Sequence, residues 1–183
     1  HVGVEEVNSD GSSLLERLDG LEGSVSNRLL MLRREGILGG GSGVMLPRNV
    51  FDEIGGFDTR LSTSADWDLY YRVSSRYTVG FVPEVLLKYR VHSSNMHSNV
   101  AAMEHDMMIA FEKAFATMTP ELKKIERRAY GSLHQNLAGS YFVAGKYAAF
   151  VSNSVRSLVL DPRNIAHFLK FPRSRRHGNG VKE

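Results

Sequence analysis

The chain has 183 residues, 42% of them hydrophobic and 23% charged, with a formal net charge of +3. That balance belongs to a globular protein able to bury a core, and it excludes a disordered or low-complexity chain. The absence of cysteine excludes a disulfide framework, a thiol nucleophile and a thiolate metal centre, and it suits a cytoplasmic protein. No apolar run approaches the roughly 18 residues that a membrane-spanning helix needs. The opening "HVGVEEVNSDG" has neither the basic start nor the apolar core of a signal peptide. Without an initiating Met, the chain reads as an excised piece whose first residues continue something upstream. Positive charge clusters only at the C-terminal end, so no nucleic-acid partner is indicated.

In chain order, Val2, Val4 and Val7 predict a strand that stops at the turn signal Asn8 to Gly11. Residues 12 to 37 are mixed, with one short helix in "SNRLLMLRREG" that Gly36 would end. "ILGGGSGVMLPR" places a glycine-rich stretch, Gly39 to Gly43, before a short apolar strand from Val44 to Leu46. Pro47 fits the first turn of a helix through "RNVFDEIGG", ended by Gly55 and Gly56. A second helix is predicted from about Ala65 to Ser75. "YTVGFVP" and "VLLKYRV" read as two strands broken at Pro83 and Glu84, followed by the polar loop "HSSNMHSN". From Val100 the periodicity is helical throughout, with helices near 100–117, 120–143, 145–159 and 163–171. The expected organisation is an α/β part over 1–99, a helical extension over 100–171 and a loose basic tail over 172–183. Within the extension, "NLAGSYFVAGKYAAFVSNSVRSLVLDP" resembles one tetratricopeptide-type helix pair. A repeat architecture needs about three such units, so an ordinary helical hairpin covering the α/β part is the preferred reading.

Chemistry-bearing residues concentrate in "LSTSADWDLYYR", Leu61 to Arg72. Asp66 has two roles open to it. It can close a capping box with Thr63 at the helix start, where the helix dipole favours a carboxylate. It can also act as a general base facing a cleft. Residues two apart point about 200° apart on a helix, so Asp66 and Asp68 cannot share one site. Asp68 is then left to solvent or to Arg72, four residues on. The glycine stretch allows close backbone approach to a phosphate or sugar, with Ser42 as its polar contact, or serves merely as a flexible entry to a strand. The spacing of His92, His97 and His105 matches no compact zinc site. His92 stands apart, because it follows a strand end of the kind that carries ligand contacts in open α/β sheets. Arg90 can bind a phosphate or carboxylate, or make a structural ion pair. Arg173, Arg175 and Arg176 form a basic tail that could touch phosphates or an anionic membrane, or stay solvated.

The order of these features carries more than any one of them. "GGS" at 40–42, "IGGFD" at 54–58, "ADWDLYYR" at 65–72 and "VPEVLLKYRVHSSNMHS" from Val82 resemble, in sequence, the second half of the catalytic domain of inverting family 2 glycosyltransferases of the GT-A fold. The resemblance is strong over about 60 residues. It implies a partial GT-A sheet with helices, followed by an all-helical C-terminal region. It implies transfer of a sugar from a nucleotide-sugar donor to an acceptor hydroxyl, on a sugar, glycolipid or polysaccharide; the expected location is the cytoplasm, with the basic tail able to reach the inner face of a membrane. It assigns the general base to Asp66, where Ala65 replaces the family's usual Glu. Gly41, Ser42, Trp67 and Arg90 become substrate contacts, and His92 matches a position that completes a Mg²⁺ or Mn²⁺ site. No Asp-x-Asp motif stands among residues 1–65. The half that holds the nucleotide is therefore expected to be missing, and this chain alone to be inactive and to bind metal weakly. The competing reading is a non-catalytic helical interaction module with a degenerate glycosyltransferase remnant.

Overall fold

The computed structural model describes residues 1–33, 36–92, 99–116 and 119–174, with side chains left out for 170–174. His97, Arg175, Arg176 and most of the polar loop after His92 lie outside the described residues, as does the side chain of Arg173. The chain divides into two compact units, His1–Lys123 and Lys124–Glu183.

The first unit is built on a mixed three-stranded sheet of order β2-β1-β3. Strand β1 (Val2–Val7) buries Val4 and Val7. It turns back at Asn8–Ser12, where the Asp10 carboxylate accepts the Ser12 N–H at 2.8 Å, and pairs antiparallel with β2 (Ser13–Arg17). The sequence pattern gives no sign of β2, because "SLLER" neither alternates nor carries β-branched residues. Strand β3 (Val82–Arg90) runs parallel to β1. The two strands expected around Pro83 and Glu84 are one. Val2 pairs with Val82 and Gly3 with Val85, so Pro83 and Glu84 are passed over as an irregularity. An edge strand tolerates the missing N–H of proline there. Upstream, Val79 makes only an isolated bridge to Gly23.

Helix α1 (Ser26–Leu30) is shorter than expected and ends well before Gly36, where Leu32 takes a φ of 45°. Its Leu29 joins Leu21, Val25 and Tyr70 in one apolar cluster. The expected strand from Val44 to Leu46 does not form. Gly40–Gly43 close a 3-10 turn, and Val44 leaves it extended but joins no strand. Helix α2 (Arg48–Ile54) follows Pro47 and ends on Gly55 at φ 87°, as the Pro and Gly signals predict.

Helix α3 (Ala65–Ser74) carries the acidic motif. The capping box expected between Thr63 and Asp66 is absent. The segment that leads into the helix is held instead by Asp106 on helix α4 (Val100–Ala116). Its buried carboxylate accepts the N–H groups of Ser62, Thr63 and Ser64 at 2.7, 2.6 and 3.2 Å. Asp68, expected on the outer side of the helix, is 1% exposed. It does pair with Arg72, at 2.8 Å, and also with Lys113 of α4, at 2.8 Å. Arg72 continues to the carbonyls of Ile54 and Gly56 at the end of α2, and Lys113 to Asp58 at 2.6 Å. Buried charges persist only when bonded in this way. Helix α4, which the sequence texture groups with the helical extension, thus packs in the same unit as the sheet.

The second unit comprises most of α5 (Pro120–Val143), α6 (Tyr147–Leu160), a 3-10 turn at Pro162–Asn164 and α7 (Ile165–Ser174). Polar bonds join the helices inside it. His134 meets Asn153 at 2.7 Å, Ser157 donates to the Gly131 carbonyl at 2.8 Å, and Asn164 donates to Ser157 at 2.9 Å. A side chain at Gly131 would come within 3.0 Å of Asp161, so the glycine permits this close packing. Among the described residues, no helix is long and apolar enough to cross a membrane.

Burial alone would push the Asp106 carboxyl up, but the backbone donors outweigh it and hold it below the usual carboxylate range. A depressed folded pKa gives stability that is present above the unfolded value of about 3.9 and lost as pH falls through the folded one. Asp106→Ala is expected to cost about 2–3 kcal/mol in urea denaturation at pH 7, because three N–H groups lose a charged acceptor. The deficit should shrink below pH about 4.

Candidate active site

The first unit contains a cleft of about 830 Å³ beside the carboxyl ends of the parallel pair β1–β3. Ligands of open α/β sheets bind at such ends. One wall is the glycine-rich turn, another is the first two turns of α3, and a third is the last four residues of β3.

The turn depends on its glycines. Gly39 and Gly40 have φ of 84° and 52°, a region that side chains disfavour. A β-carbon at Gly39 would also lie 2.8 Å from the Gly43 α-carbon and from Leu87. At Gly40 it would stand 3.5 Å from Asp66 Oδ2, so the backbone of the turn runs beside that carboxylate. Gly41 and Ser42 are exposed on the same wall.

Asp66 sits in the first turn of α3, half-buried, with Oδ1 accepting the Trp67 N–H at 2.7 Å. Burial raises its pKa, and the Trp67 N–H offsets part of that rise. A cleft carboxyl raised by burial is a candidate for accepting a proton from a substrate. Trp67 is clamped between two rings, stacked on Phe111 at 5.3 Å and on Tyr71 at 5.9 Å. Its position is therefore set by α4 as much as by its own helix. Tyr70 lies four residues after Asp66 and also lines the cleft. Burial and then the nearby Asp66 charge push its phenol well above the ordinary value.

At the strand end, Arg90 Nη1 donates to the carbonyls of Asn8 and Ser9 at 3.1 and 2.8 Å, bracing the β1–β2 turn. His92 follows, exposed. Successive strand residues point to opposite faces, yet Tyr89 and Arg90, at the exposed end of the edge strand β3, both line the cleft. The structure thus brings Gly41, Ser42, Asp66, Trp67, Arg90 and His92 to one cleft. His105 is on α4 and does not line it. Glu6, Arg17, Lys88 and Tyr70 also line it and were not singled out from the sequence. Only Lys88, two residues before Arg90 on one strand, left a readable period-two signal. The charged lining is Arg17, Arg33, Lys88 and Arg90 against Glu6 and Asp66, a balance that favours an anionic ligand.

An acid with a raised folded pKa costs stability once it ionises, fully so above that pKa and not at all below the unfolded one. Asp66→Asn should therefore be more stable than the wild type at pH 7. The gain should vanish toward pH 4, as read by urea denaturation at the two pH values.

Residues 4–133 match the model of the glycosyltransferase like family 2 domain. Comparisons with curated proteins and with solved structures each gave no match. The match takes in the described lining of the cleft, strands β2 and β3, and β1 from Val4 onward. The small mixed sheet with its helices is a partial GT-A fold followed by a helical C-terminal region. Glycosyl transfer, with binding of a nucleotide sugar and an acceptor, is the general chemistry this carries. The chain belongs to the family 2-like glycosyltransferases.

Proposed function

We propose that this chain forms the acceptor side of an inverting glycosyl-transfer site, with Asp66 as the general base. The observation that supports the reading most is the setting of Asp66. Its carboxyl is raised by burial, it lines the cleft, and the glycine turn runs beside it. In the reaction, an acceptor hydroxyl gives its proton to Asp66 as its oxygen bonds to the anomeric carbon. The bond from that carbon to the nucleoside diphosphate breaks on the opposite face, and the diphosphate leaves with the electron pair. Attack from the far side inverts the centre. Trp67, held by its stacking on Phe111 and Tyr71, gives the cleft an apolar contact for a sugar ring. Arg90, Gly41 and Ser42 offer polar contacts to the donor or acceptor.

No Asp-x-Asp stands among residues 1–65, so in this reading the donor's diphosphate is held by groups outside these 183 residues. Among the described residues, no three of His, Asp and Glu come together as a ligand set. His92 would give a Mg²⁺ or Mn²⁺ ion at most one ligand, and no step is derived through a metal.

A second reading keeps one observation of its own. Val143, Tyr147, Val151, Val155 and Val159, spaced by four, are all more than half exposed. An interaction module would use such a stripe. The test separates the two. In the protein carried with its native flanking sequence, Asp66→Asn is expected to reduce sugar transfer at least 1,000-fold while leaving nucleotide-sugar binding within about threefold. Near-normal turnover removes Asp66 from the role. No transfer or donor hydrolysis by the wild type favours the interaction module.

A further inference from the structure

Among the described residues that line the cleft, Tyr70 alone keeps a buried side-chain polar atom with no hydrogen-bond partner, its hydroxyl. The residue is 8% exposed, and its ring belongs to the apolar cluster of Leu21, Val25 and Leu29. Phenylalanine would fill that space without an unpaired hydroxyl, so the phenol is a destabilising choice unless something uses it. Its place on the helix suggests what does. Residues four apart share a helix face, and the Asp66 charge acts on the phenol, so the hydroxyl faces the same region as the proposed base. Burial keeps it protonated and able to donate. Ile37 and Val44, at the two ends of the glycine-rich segment, pack against the cluster that holds Tyr70. A small shift of that segment would open a path to the hydroxyl.

We infer that Tyr70 is a positioning and specificity residue: its hydroxyl donates to an acceptor-sugar hydroxyl oxygen adjacent to the one that faces Asp66. The inference rests on the reading of Asp66 as base. It assigns the acceptor to sugars with a free hydroxyl beside the reacting one, because a partner lacking that oxygen would leave the phenol unpaired. The glycine turn must yield for the contact to form, so the bond exists in the bound state and not in the free one.

The experiment uses the whole chain and Tyr70→Phe. Urea denaturation of the variant is expected to give a midpoint no lower than that of the wild type. Saturation-transfer NMR with glucose, galactose, mannose and N-acetylglucosamine is expected to show binding of at least one to the wild type. The variant should bind that sugar about tenfold more weakly. A lower midpoint would mean that the hydroxyl is bonded in the free protein, and would overturn the inference. Unchanged affinity in Tyr70→Phe, or no binding of any of the four sugars to the wild type, would also overturn it. The Asp66→Asn transfer assay reads the base alone, so failure of that reading is told apart from failure of this one.

Discussion

The carboxylate of Asp68 fixes the site without being in it. It is almost wholly buried and is held by Arg72 from its own helix and Lys113 from α4. Its partners extend to the carbonyls at the end of α2 and to Asp58. Such a buried, fully bonded cluster tolerates no rotation of α3, since turning the helix would strand a charge at a cost of several kcal/mol. Asp66 lies two residues earlier, about 200° around the same helix. Anchoring Asp68 against α2 and α4 therefore turns Asp66 toward the opposite side, where the glycine turn and the ends of β1 and β3 form the cleft. Asp106 completes the arrangement by holding, from α4, the three residues that lead into the same helix. The entry to α3 is held by one buried carboxylate and its inner face by an ion-pair cluster, with Asp106 and Lys113 supplied from outside the motif.

The cleft side of α3 is organised on the opposite principle. There the polar groups are under-satisfied: burial raises the Asp66 pKa despite its backbone donors, and the Tyr70 hydroxyl has no hydrogen-bond partner among the described residues. Stabilisation is concentrated where nothing reacts, and unmet hydrogen bonding is concentrated where a ligand would sit. That division is the expected signature of a site that gives up some stability for binding.

Much of this was legible in the sequence, and the failures share a cause. The helices after Val100 and the stop of α2 at Gly55 follow from periodicity and punctuation, which are local. The 200° separation of Asp66 and Asp68 is likewise local geometry. Local sequence offers a capping box between Thr63 and Asp66, but the entry to the helix is held by Asp106, some 40 residues on. Asp68 was placed on the outer side because Lys113, its buried partner, has no local trace. Strand β2 was missed because its residues lack alternation and it exists through pairing with β1. The strand after the glycines was expected from Val44 to Leu46, whose apolar character is real, but the glycines spend their freedom on a 3-10 turn and leave no partner strand. In each case a contact distant in sequence decided the outcome.

The proposed role of Asp66 is that of an ionised base whose carboxyl is raised by burial. The pH dependence of kcat/KM for sugar transfer tests this most directly, because its acid limb reports the free enzyme's essential base. The expected profile falls on the acid side with a midpoint above about 3.9, the ordinary value for aspartate. A rate that stays level down to pH about 4 would contradict it.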